Sequence, residues 1–139
     1  MNASTDRLLR RTLWGNAIFS IASGAVLAIF AGPFAKAAAH GEVSLVGLDL
    51  AIVFELLGVG VIAFGALCAW VASRGTLPQS WARLIFAADI AWVLASVLVL
   101  ALPATWSVAG FVGIAVVALI VADLAILEYL GLRRLGTAS

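Results

Sequence analysis

The sequence predicts an all-α fold: an integral membrane antiparallel four-helix bundle with both termini cytoplasmic. Three observations predict it. Hydrophobic residues make up 65 % of the 139-residue chain and charged residues only 11 %. Four separate apolar runs are long enough to cross a bilayer. All seven arginines fall on one side of a four-span arrangement. A soluble domain is about half apolar and about a quarter charged. With a mean hydropathy of +1.19, the medium around this chain is lipid.

A spanning helix needs roughly 20 mostly apolar residues. The runs are 13–31 (LWGNAIFSIASGAVLAIFA), 50–72 (LAIVFELLGVGVIAFGALCAWVA), 84–102 (LIFAADIAWVLASVLVLAL) and 108–130 (VAGFVGIAVVALIVADLAILEYL). The linker PATWS is so short that spans three and four form a tight antiparallel hairpin. Nothing divides the chain, so residues 1–139 read as a single four-span domain. The loop GPFAKAAAHGEVSLVGLD suits a short helix at the outer surface, with Phe34, Leu45, Val46 and Leu48 dipping into the interface.

Orientation follows from the basic residues. Arg7, Arg10 and Arg11 precede span one, Arg74 and Arg83 separate spans two and three, and Arg133 and Arg134 follow span four. Only Lys36 lies on the other side. Trp14, Trp70, Trp81 and Tyr129 fall at the cytoplasmic ends and Trp106 at the outer turn, as an interfacial belt requires. The basic start, the apolar stretch and FAKAAAHG resemble a cleavable signal peptide. The packing face on span one favours a retained helix instead.

That face is Asn16, Ser20, Gly24, Ala28 and Gly32, one small or polar residue every fourth position. Small residues so spaced let helix backbones approach closely in lipid. Span two carries Glu55, Gly58, Gly65 and Ala69 on one face, and span four has Gly110 and Gly113 near its outer start. These patterns report packing and do not discriminate between functions.

Acids within the spans are the candidate functional residues. Span three has eleven Leu, Ile, Val and Phe residues. They supply about −3 to −7 kcal/mol of insertion drive, against about +2.5 to +3.5 kcal/mol for a central aspartate. The helix therefore inserts despite Asp89. Asp89, Asp123 and Asn16 fall at similar depth in the cytoplasmic leaflet, so they are expected to meet inside the bundle. Trp92 and Ser96 share a face with Asp89 and extend this polar cluster. Its structural reading is a hydrogen-bond network that fixes helix register, which is favoured. Its functional reading is a proton or cation site, because two close acids share a proton readily. Glu128 is expected to snorkel or to pair with Arg133 or Arg134. Glu55 is a lone acid in the opposite leaflet, about 7 Å from the outer end of span two.

The composition excludes several chemistries. The net charge of +1 gives no pull towards nucleic acid. One cysteine, Cys68, permits no intrachain disulfide, and one histidine, His40, permits neither a two-histidine haem nor a Cys and His metal cluster. No Ser, His and Asp set is available for hydrolysis. No catalytic, cofactor or metal residue is expected, and no enzymatic activity.

The segments RRTLWGNAIFSIASG, LLGVGVIAFGALCAWVASR, ARLIFAADIAWVLAS and YLGLRR, in that order, resemble a widespread group of small bacterial four-span integral membrane proteins. Asn16, Arg83, Asp89, Trp92 and Ser96 are the best-marked elements of the resemblance, which covers most of the chain. It implies the fold and a location in the bacterial inner (plasma) membrane, and no particular activity. Small multidrug-resistance transporters have a similar size, but their essential acid sits in span one, where this chain has none. The expected role is an accessory or scaffold subunit, with the lipid bilayer and a membrane-protein partner or a homo-oligomer as its surroundings. The alternative is an oligomeric proton-coupled transporter or channel that uses the intramembrane acids.

Overall fold

The computed structural model describes residues 3–102 and 105–136. Its elements are α1 (Ala3–Ile29), α2 (Ala31–Ala38), β1 (Ser44–Leu45), β2 (Leu48–Asp49), α3 (Leu50–Ser73), α4 (Gln79–Leu100) and α5 (Val108–Gly136). The four long helices are each long and apolar enough to cross a membrane. They pack against one another as a bundle, with α1 against both α3 and α5, and α5 against α4. Helices α3 and α4 approach each other much less. Leucines, isoleucines and phenylalanines crowd the outside of the bundle, among them Ile18, Leu56, Leu94 and Leu119. A soluble protein would turn such residues inward; in lipid they face the solvent.

Helices α1 and α3 meet in a close backbone contact. A methyl group built on Gly58 would lie 2.6 Å from both the Gly24 carbonyl oxygen and the Ala28 amide nitrogen. One built on Gly24 would lie 2.7 Å from the Gly58 carbonyl oxygen. Backbone therefore touches backbone, and only glycine fits. About two turns further along α3, Gly65 receives Ile21. The stripe on α1 thus works as a contact face through Gly24 and Ala28. Gly32 is a correction to that stripe. The helix breaks after Ile29, Gly32 belongs to α2, and nothing lies within 4 Å of where its side chain would stand.

The ends that carry the arginines gather together. Arg10 of α1 reaches the carbonyls at the end of α3, bonding Ala72, Arg74 at 2.7 Å and Gly75 at 3.4 Å. A cation there caps carbonyls that no helical amide can reach. Asp6 holds the same guanidinium at 3.1 Å. The Arg74 guanidinium lies 4.2 Å over Trp70, which meets Trp81 edge-on at 5.6 Å. Beneath this layer Leu9, Leu13, Ala17, Cys68, Val71, Ala72, Ala82 and Ile85 form the buried apolar core.

At the opposite end, the connection after α1 folds into α2 and a two-stranded hairpin. Helix α2 docks on the start of α5. The Ser107 amide donates to the Ala38 carbonyl at 2.9 Å, and the His40 amide to the Thr105 carbonyl at 3.1 Å. Trp106 donates its indole N–H to the Val99 carbonyl at 2.8 Å. The hairpin is a departure from the expected short helix alone. Its turn is Val46–Gly47, both with positive φ (54° and 77°). The side chain of Val46 is fully exposed.

Three expected outcomes follow for stability in detergent. Gly58→Ala lowers the thermal midpoint, since overpacking a close contact costs about 1–3 kcal/mol. Gly60→Ala, two residues on with nothing within 4 Å, leaves it within about 0.5 kcal/mol of wild type. Val46→Asn raises stability by about 1 kcal/mol, because asparagine tolerates the left-handed conformation that a β-branched residue does not.

Candidate functional site

The polar centre of the bundle is built on Asn16. Its side-chain amide donates one hydrogen bond to Oδ2 of Asp89 at 2.6 Å and one to Oε1 of Glu128 at 3.0 Å. An amide has two such hydrogens, so both are used. Its carbonyl oxygen accepts from the Ser20 hydroxyl at 3.0 Å, one turn along the same helix. Three helices meet in this one side chain: α1 through Asn16, α4 through Asp89 and α5 through Glu128. Cys68 of α3 is fully buried and faces both carboxyls from the fourth helix.

All of these groups lie inside the protein. Asn16 is 1 % exposed, Asp89 3 % and Glu128 0 %. Along the apolar lengths of their helices, Asn16 and Asp89 sit ten residues from the arginine-rich end and Glu128 seven. That places the three groups about 10–15 Å in. Glu128 Oε2 is buried and accepts no hydrogen bond. The two carboxyls accept from one and the same amide nitrogen, which brings them side by side.

Of the residues singled out in the sequence, Asn16 and Asp89 come together. Asp123 does not join them. It is exposed on the flank of α5, and Glu128 occupies the place expected for it. The reason is helical phase. Five residues separate the two acids, and at 3.6 residues per turn that is about 140° of rotation. Glu128 therefore turns into the bundle rather than snorkelling towards Arg133 or Arg134. A signal for this was present in the small and β-branched residues of α5. Ala118, Val121, Ala125, Glu128 and Gly131 follow one another at steps of three and four, and all are buried. Asp123 lies off that stripe.

Trp92 is half-buried, and its indole nitrogen is buried without a hydrogen-bond partner. Ser96 donates to the carbonyl of Trp92 at 2.8 Å, within its own helix, and not to the cluster. Glu55 is exposed on α3, near the end opposite the arginines, and has no hydrogen bond or ion pair among the described residues. Gly58 and Gly65, expected to share its face, are buried against α1 instead.

Among the described residues no group of three or more His, Cys, Asp or Glu side chains is arranged to hold a metal ion. An apolar groove of about 240 Å³ runs between α4 and α5, lined by Phe86, Ile90, Val93, Ala122, Ile126 and Tyr129 among others. Neither carboxyl of the cluster opens into it.

Compared with known proteins, the chain matches no family model, no curated protein and no solved structure. Fold and site together define a small multi-span helical membrane protein whose interior holds a pair of carboxyls on an asparagine.

Replacing Asn16 by alanine removes the donor that Glu128 Oε1 has among the described residues and is expected to cost about 1–3 kcal/mol. Asp123→Asn is expected to fall within about 0.5 kcal/mol of wild type. Thermal unfolding of both variants in the same detergent checks this. Equal losses at Asn16 and Asp123 would contradict the arrangement.

Proposed function

We propose that this chain is an accessory or scaffold subunit of a bacterial inner-membrane complex, with both termini cytoplasmic, of the small four-span group its sequence resembles. The reading gives it no enzymatic chemistry of its own. Orientation rests on the gathering of arginines at one end.

The observation that carries the proposal is Glu55. It is an exposed acid on a helix whose other exposed residues suit lipid. An ionised carboxylate facing acyl chains is costly, by about 2.5–3.5 kcal/mol at the helix centre and less towards an end. A partner helix that offers a hydrogen-bond donor or a cation at that depth offsets this. Ile52, Leu56 and Val59 are exposed beside Glu55. The four positions follow the i, i+3, i+4, i+7 pattern of a helix-docking stripe. This stripe lies about a third of a turn round α3 from the glycines that contact α1.

The buried pair Asp89 and Glu128 favours the second reading, an oligomeric proton-coupled transporter or channel. Two carboxyls at one depth supply a proton site. A transport path needs a second step, which Glu55 or Asp123 would provide at the surface between copies.

Extraction in mild detergent, native mass measurement and identification of the bound proteins separate the two. The accessory reading expects a heteromeric complex of fixed stoichiometry, and Glu55→Leu is expected to reduce the yield of that complex severalfold. A homo-oligomer without a protein partner sinks it and favours transport.

A further inference from the structure

We propose that Asp89, Glu128 and Asn16 form a proton-binding site in which one proton is shared between the two carboxyls. This goes beyond the accessory role and does not depend on it.

The hydrogen bonds to Asp89 and Glu128 come from the neutral amide of Asn16. Arg10, on the same helix, bonds the carbonyls of Ala72, Arg74 and Gly75 and the carboxylate of Asp6. The titratable groups that face the pair are Cys68 from α3 and the two acids themselves, from α4 and α5; α1 contributes Asn16 and Ser20. Cys68 is a free, buried thiol and brings no positive charge.

Two ionised carboxylates on one amide nitrogen, both buried out of water, repel strongly and lose their hydration together. One proton removes both difficulties. It reduces the pair to a single charge and forms an O–H···O bond between the acids. It also answers Glu128 Oε2, which is buried and has no hydrogen-bond partner among the described residues. The amide of Asn16 then holds the remaining oxygens in place. A pair of this kind takes up and releases its proton as a unit.

The ligand is thus a proton, and its uptake balances simply: a carboxylate oxygen takes H⁺ from water and becomes a carboxyl O–H. Glu128 is nearer its helix end than Asp89, on the arginine-rich side.

Linkage sets the sign of the pH effect. The folded pair keeps a proton that the separated, solvated acids of the unfolded chain give up. Stability therefore falls as the pH rises through the range in which the unfolded acids have given up that proton and the folded pair still holds it.

The test is infrared difference spectroscopy of the full chain in lipid vesicles, read at the stretching band of protonated carboxyls, with thermal unfolding followed over the same pH range. Wild type is expected to show the band at neutral pH and to lose it, with a falling thermal midpoint, as the pH is raised. Asp89→Asn and Glu128→Gln are each expected to remove it and to flatten the pH dependence. Asp123→Asn and Glu55→Gln are expected to keep both. No band in wild type at neutral pH overturns the proposal, as does a band that survives in Asp89→Asn/Glu128→Gln. The wild-type measurement decides the matter even where a variant fails to fold. None of these outcomes depends on whether the chain has a protein partner.

Discussion

The bond from Asn16 to Asp89 is the constraint on which the interior depends. Helices α1 and α4 make no close backbone approach. Their link is a side-chain bond of 2.6 Å, with Glu128 of α5 on the other hydrogen of the same amide. In lipid, apolar faces have no preference for one another over acyl chains. Such a bond therefore does what hydrophobic burial does in water. It selects one rotation of each helix, because a rotated helix would leave a carboxyl or an amide unpaired in hydrocarbon.

The second kind of contact is steric. On the side of α1 that meets α3, glycine brings backbone against backbone at Gly24 and Gly58. Dispersion at that range is short-ranged and sensitive to shape. At the arginine-rich end Arg10 closes the same pair of helices through carbonyls at the end of α3. Helix α1 is thus held by fit on one side and by polar bonding on the other. Helix α3 is left with a broad outer surface, and Glu55 stands on it.

Two acids in one small bundle have opposite environments, and their meanings separate on that ground. Glu128 is enclosed, bonded through one oxygen and close to a second acid. Glu55 is exposed and has no protein partner among the described residues. The first is a question of protons, because a buried pair can be neutralised from within. The second is a question of neighbours, because what neutralises an outward-facing acid lies outside the chain.

The number of apolar helices long enough to span, and the lipid surroundings, were legible in composition and hydropathy, because insertion depends on summed transfer free energies along the chain. Asn16 and Asp89 were legible too, as polar groups at one depth in otherwise apolar segments. The choice of Glu128 over Asp123 was not. A helix that is apolar all round carries little amphipathic signal, so its rotation is decided by neighbours. The break after Ile29 and the strained turn at Val46 were also hidden, since α2 is fixed by its bonds to the start of α5, far along the chain. Sequence by itself determined how many helices this protein puts in the membrane, because hydrophobicity is local. Tertiary structure alone decided which acids face each other and which faces lipid, because rotation about a helix axis is set by contacts between helices.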